Sequence, residues 1–270
     1  MEAAPGDEKL ARLLAPLRED PGRAAILTDV DGTIAPITGR PEEAGVPEHT
    51  RELLRKLAAK HALVAGISGR RAVDARRIVG VDEIAYSGNH GFELLLPGND
   101  EPLPDPSLDG HEGDAARFVA ELDSAELDRA GFRVEDKGAI VALHWRGAPN
   151  EGAAESLANE IATAAEWQDL VSHRGRKVLE IRPNVPINKG IAVAAILAAK
   201  PVRAALYAGD DRTDVDGFTA LRTLREDGDL EAVACIAIAS PETPPEVIES
   251  ADLSVPGPEG FIEVLEALAA

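Results

Sequence analysis

Ile26-Leu27-Thr28-Asp29-Val30-Asp31-Gly32-Thr33 is an apolar run that stops at two carboxylates flanking a valine, followed by a glycine. The run has the length of a buried strand, and the Asp-Gly after it marks a turn. The pattern recurs twice: Leu63-Val64-Ala65-Gly66-Ile67 runs into Ser68, and Ala205-Leu206-Tyr207-Ala208 runs into Gly209-Asp210-Asp211. Helical patterns lie between such runs, at residues 48–60 and 189–199. Strands alternating with helices predict an α/β domain around a mainly parallel sheet. Ligands bind such sheets beyond the carboxyl ends of the strands, so Asp29, Ser68 and Asp210 are expected on one edge.

The middle of the chain reads differently. Residues 96–113 carry Pro97, Pro102, Pro104 and Pro106 among acids and glycines, which predicts a linker or loop. Beyond it come a helix over 115–130, a strand pair turning near Asp136-Lys137-Gly138, a helix over 151–167, and a second pair turning near Arg174-Gly175-Arg176. This is a compact α+β module, inserted because strand and helix alternation resumes at Asn188. The expected division is a core of residues 1–97 and 184–270 with an insertion of 98–183.

Charge narrows the partners. With 28 basic and 48 acidic residues the formal net charge is −20, which disfavours nucleic acid and anionic membrane surfaces. A hydrophobic content of 44% is too high for a disordered acidic chain. The single cysteine, Cys235, lies in an apolar run and reads as a buried small hydrophobe. The first residues do not resemble a signal peptide, and a reducing, cytoplasmic setting is the expectation. Nothing in the sequence sets an oligomeric state, and a monomer is compatible with it.

Asp29 and Asp31 have the residue types and spacing for phosphoryl chemistry. A carboxylate at a strand end can attack phosphorus and share a cation, and a second one two residues on can protonate a leaving alkoxide and then activate water. A solvated Asp-Gly turn is the alternative. Asp210 would complete an oxygen shell for Mg2+ with Asp29 and the Asp31 backbone carbonyl, while Asp211 and Asp214 orient the site from behind. An acid-rich helix N-terminus, favourable through the helix dipole, is the alternative there. Lys189 opens an apolar helix against the dipole preference, which asks for another reason for its presence.

These residues, in this order, resemble the motifs of the haloacid dehalogenase superfamily. More narrowly, Ser68-Gly69-Arg70, Gly88-Asn89-His90-Gly91, Glu135-Asp136-Lys137-Gly138, His144-Trp145-Arg146, Lys177-Val178-Leu179-Glu180-Ile181-Arg182-Pro183 and Asn188-Lys189-Gly190 are similar to the trehalose-phosphatase family. The resemblance spans residues 26–218. It implies a Rossmann-like core with an inserted α+β cap, and Mg2+-dependent hydrolysis of trehalose 6-phosphate through an aspartyl phosphate. By position it implies Asp29 as nucleophile, Asp31 as general acid/base, Ser68 and Lys189 as phosphate ligands, and Asp29, Asp31 and Asp210 around the metal. It further implies Thr33, Gly69, Arg70, Asn89, His90, Glu135, Lys137, Arg146, Lys177 and Glu180 on the substrate side. Cross-strand ion pairing on a solvated sheet is the alternative for the cap residues. Val215 and Trp145 depart from the family pattern, which often has an acid and a tyrosine there. Other sugar phosphates, such as sucrose 6-phosphate or a mannosyl phosphoglycerate, and a catalytically silent sugar-phosphate sensor, are the competing readings.

Overall fold

The structure, a computed structural model, describes residues 5–37, 45–175 and 177–270. Helix α1 (Pro5–Glu19) leads into β1 (Ala24–Asp29), every residue of which is buried. Helix α2 (Glu48–Lys60), β2 (Leu63–Ile67), α3 (Ala72–Val79), β3 (Ala85–Gly88) and β4 (Glu93–Leu95) follow. The expected linker is irregular except for a short strand β5 (Leu103–Pro104) and a 3-10 turn at Pro106–Leu108.

The chain then builds a second unit: α4 (Asp114–Glu121), α5 (Ser124–Ala130), β6 (Arg133–Asp136), β7 (Val141–His144), α6 (Glu151–Trp167), β8 (Leu170–Gly175) and β9 (Val178–Pro183). It returns through α7 (Lys189–Ala198), β10 (Ala204–Gly209), α8 (Asp214–Glu226), β11 (Ala232–Ala239), α9 (Pro245–Ser250), β12 (Leu253–Pro256) and α10 (Gly257–Ala269).

The first unit holds one sheet in the order β12-β11-β10-β1-β2-β3-β4-β5, parallel from β12 through β3, with β4 antiparallel. Alternate residues of each strand feed opposite faces. Ile26, Leu206 and Ile236 join a core with α1, α2, α3 and α10, while Leu27, Tyr207 and Cys235 join one with α7, α8 and α9. Burial on both faces is why these strands read as continuous apolar runs rather than alternating ones.

The second unit is an antiparallel sheet, β6-β7-β9-β8, whose Val141, Leu143, Leu179 and Ile181 pack with Phe118, Leu127 and Ile161 of its helices. The helix expected over 115–130 is in fact two. Asp123 accepts hydrogen bonds from the N–H groups of Ala125 and Glu126, starting α5 after Leu122 has left the helix. Asp123 with Glu126 three residues on is a capping-box-like signal legible in the sequence. Arg176, in the second expected turn, lies outside the described residues.

The units divide at Leu103/Pro104 and Pro186/Ile187, a few residues beyond the expected boundaries. β5 keeps Leu103 on the core sheet, and at the other end Pro183 pairs with Leu170 while Asn184 donates to Asp169. Among the described residues no helix is long and apolar enough to cross a membrane.

Candidate active site

Three neighbouring parallel strands end together. β1 closes with Asp29, β2 is followed by Ser68, and β10 closes at Gly209 before Asp210. Past β1 the chain folds back on itself, with the N–H groups of Ile34 and Ala35 on the Val30 carbonyl and that of Gly32 on the Ala35 carbonyl. Gly32 has φ +91°, and a Cβ there would collide with the Asp210 carboxylate. The glycine therefore serves both the left-handed turn and the approach of β10's acid. Thr33, fully buried, donates to Asp210 Oδ1 at 3.4 Å.

Lys189, 2% exposed at the first turn of α7, donates to Asp29 Oδ1 and to Asp214 Oδ1, both at 2.7 Å. That explains a lysine at a helix N-terminus: Asn188 caps the helix through the Ile191 N–H, and the ammonium is matched to carboxylates rather than to the helix. Asp214 also accepts from the Tyr207 hydroxyl at 2.6 Å and from the N–H groups of Asp210 and Asp211 at 3.0 Å. With four donors on its two oxygens it is a brace for the loop. Asp211 bonds the Thr213 N–H and hydroxyl, and the surrounding protein's tendency to raise its carboxyl is outweighed by Lys189 and Thr213, which hold it below its usual value.

Carboxylates outnumber the ammonium. Burial, with the charges of Asp214 and Asp210, holds the Asp29 carboxyl well above its usual value despite Lys189. Burial and Asp214 push Asp210 up to about 7. Burial alone would lower the Lys189 ammonium, yet Asp214 and Asp29 hold it well above its ordinary value. Oxygens of Asp29, Asp210 and Asp214 lie within 4.8 Å of one another. An all-oxygen donor set with unmatched negative charge fits a hard divalent cation.

The other residues singled out in this unit gather at the β2 and β3 ends. Ser68 is buried, and its Oγ accepts from the Arg70 N–H at 3.1 Å. The Asn89 and His90 N–H groups bond the Arg70 and Ser68 carbonyls, and both residues adopt left-handed φ, 51° and 60°. The His90 ring lies where a Cβ on Gly69 would fall. Asp31 is held by Arg70 through two hydrogen bonds of 2.7 Å.

In the second unit, register places Glu135, Ala142 and Glu180 side by side on one face. Lys137 pairs with Glu180 at 2.7 Å, and Glu135 bonds His144 at 2.7 Å, with Arg133 at 3.6 Å. Burial lowers the His144 imidazolium, against the pull of Glu135. Lys177 pairs with Glu151 on α6, and Arg146 is exposed just after β7.

A family profile described as Trehalose-phosphatase matches residues 27–241. The chain belongs to the trehalose-phosphatase family. Over 238 residues it is 33% identical to the trehalose-phosphate phosphatase of Mycobacterium bovis, an alignment covering 80% of this chain and 58% of that protein. It is 34% identical over 236 residues to a Mycobacterium tuberculosis protein called an uncharacterized glycosyl hydrolase, covering 82% of this chain and 18% of that one. This chain thus spans under two thirds of the length of these relatives.

Among solved structures, the C-terminal domain of Candida albicans trehalose-6-phosphate phosphatase matches with a TM-score of 0.70 at 22% identity, covering 99% of this chain and 97% of that one. A trehalose-6-phosphate phosphatase related protein gives 0.71 at 24%, covering 91% and 96%. At those identities the likeness shows the fold alone, an α/β core around a parallel sheet. Tyr207 is the site residue of this trehalose-phosphatase family member that sequence reasoning missed. Its signal was a lone hydroxyl inside an apolar strand, since a buried tyrosine needs a partner for its O–H.

Proposed function

We propose that the chain hydrolyses trehalose 6-phosphate to trehalose and orthophosphate through an aspartyl phosphate on Asp29. The observation that carries this reading is the buried Asp29–Lys189–Asp214 array beside Asp210, at the carboxyl ends of adjacent parallel strands.

A carboxylate oxygen of Asp29 bonds to phosphorus as the bond from phosphorus to the sugar oxygen breaks, and Asp31 gives that oxygen its proton. In the second step Asp31 takes a proton from water as the water oxygen bonds to phosphorus and the bond to Asp29 breaks. Lys189 fixes the Asp29 carboxylate and, with the Ser68 hydroxyl, Thr33 and the Gly69 backbone, faces the phosphoryl oxygens. Asp29, Asp210 and the Asp31 carbonyl would hold Mg2+, and Asp214, its lone pairs filled, supports them. Bound there, the cation supplies positive charge against the phosphate. The family resemblance implies the substrate-recognition role for Arg70, Asn89 and His90 in the core and for Glu135, Lys137, Arg146, Lys177 and Glu180 in the cap, charged groups being strong partners for sugar hydroxyls.

The test is phosphate release from trehalose 6-phosphate and sucrose 6-phosphate with Mg2+, using Asp29→Asn as the blank. Preference for the trehalose ester, with release falling on the order of 10³-fold or more in the variant, is expected. Equal rates overturn the choice of sugar; release undiminished in Asp29→Asn overturns the nucleophile. Binding without turnover would favour the sensor.

A further inference from the structure

The Arg70 guanidinium meets the Asp31 carboxylate fork to fork. Nε donates to Oδ2 and one terminal nitrogen to Oδ1, each at 2.7 Å, with the side chains 25% and 35% exposed. This two-point grip sets a carboxylate's rotation as well as its position, which a single hydrogen bond or a lysine does not do.

The arginine is itself fixed at its base. Its N–H donates to Ser68 Oγ, and its carbonyl accepts the Asn89 N–H at 2.7 Å. The loop after β2 is therefore clamped by the end of β3, and its side chain crosses to the loop after β1. β1 and β2 are paired in parallel up to Asp29 and Ile67, so the bases of Asp31 and Arg70 hang from one rigid sheet edge.

A carboxylate has about four lone-pair sites, and the fork uses two. One further site on each oxygen is left for a proton and for the group that exchanges it. The grip is compatible with proton transfer at Asp31 and restricts where that transfer occurs.

We infer that Arg70 is a positioning residue that acts through Asp31, fixing the carboxylate for proton transfer, rather than a ligand of the substrate. This rests on the phosphoryl-transfer reading above. It departs from the substrate-side place that the resemblance implies for Arg70.

The two roles predict different kinetics. Losing a substrate ligand shared by ground and transition states raises KM, whereas losing a group that orients the acid/base lowers kcat. Steady-state kinetics on trehalose 6-phosphate with Mg2+ should be measured for the wild type, Arg70→Ala, Arg70→Lys, Asp31→Asn and the Asp31→Asn/Arg70→Ala double variant, with thermal midpoints beside them.

Arg70→Ala should lower kcat by roughly 10–100-fold, the range seen when an orienting partner is removed, with KM within about threefold. Arg70→Lys should recover only part, and added methylguanidine should partly restore Arg70→Ala. In the Asp31→Asn background, loss of Arg70 should have no further effect on kcat.

A tenfold rise in KM at unchanged kcat, or a double variant whose losses multiply, would overturn the inference and leave the phosphatase reading standing. If Arg70→Ala does not fold, Arg70→Lys carries the same comparison. No phosphate release by the wild type from any phosphate monoester would sink the phosphatase reading, and this inference with it.

Discussion

The two units use charge in opposite ways. In the core, three buried carboxylates, Asp29, Asp210 and Asp214, surround one buried ammonium, Lys189. On the cap sheet the charges match locally: Lys137 with Glu180, Glu135 with His144 and Arg133, Lys177 with Glu151. Matched pairs, part-exposed like Glu135–His144 or largely buried like Lys137–Glu180, account for their own presence as local ion pairs. A buried surplus of one sign does not, because it opposes folding. Such a surplus is the setting for the cation proposed above, and it makes the core the more informative region.

Removing the buried ammonium of Lys189 should have the largest effect. Lys189→Met, measured at pH 8 in chelator, should lose about 3–5 kcal/mol of stability, because it leaves buried carboxylates unopposed. A thermal midpoint equal to wild type would break the contrast between the units.

A pH series sharpens it next. Asp210 stands at about 7 in the folded chain against 3.8 for the free side chain. Between those values the native state holds a proton that the unfolded state has released, so this group lowers stability as pH rises through the window. Relative to Asp210→Asn, the wild type in chelator should lose on the order of 2–4 kcal/mol across that window, with the difference vanishing below it. Millimolar Mg2+ should restore stability at the upper end only. A difference that does not change with pH would remove the surplus-charge account.

The cap gives the smallest effect. Glu180→Gln should raise KM for trehalose 6-phosphate roughly tenfold, the weight of one charge-assisted hydrogen bond, and shift KM for p-nitrophenyl phosphate less. Equal shifts on both esters would make Lys137–Glu180 a purely structural pair.

The sheet was legible because buried parallel strands leave a plain signature, an apolar run ending at Asp29, Ser68 or Asp210. The two-residue strand β5 was not, since Leu103–Pro104 has too few residues to show a period and sits among prolines. Composition named the acids of the site but not their partners. Arg70 stands on the substrate side in the sequence reading, where its bond to Asp31, joining loops 39 positions apart, leaves no sign. Tyr207 read as core because its ring is core, and only its hydroxyl reaches Asp214.

The insertion also has a consequence for the order in which the chain is made. β1 is flanked by β2, soon after it, and by β10, whose first residue, Ala204, pairs with Ala24. The whole of Pro104–Pro186 is synthesised between those partners. On a ribosome the cap, contiguous and locally connected, emerges complete while the strand bearing Asp29 still has one open flank. The nascent core therefore carries an unpaired apolar edge for the time it takes to translate a whole domain, an interval in which a chaperone has something to hold.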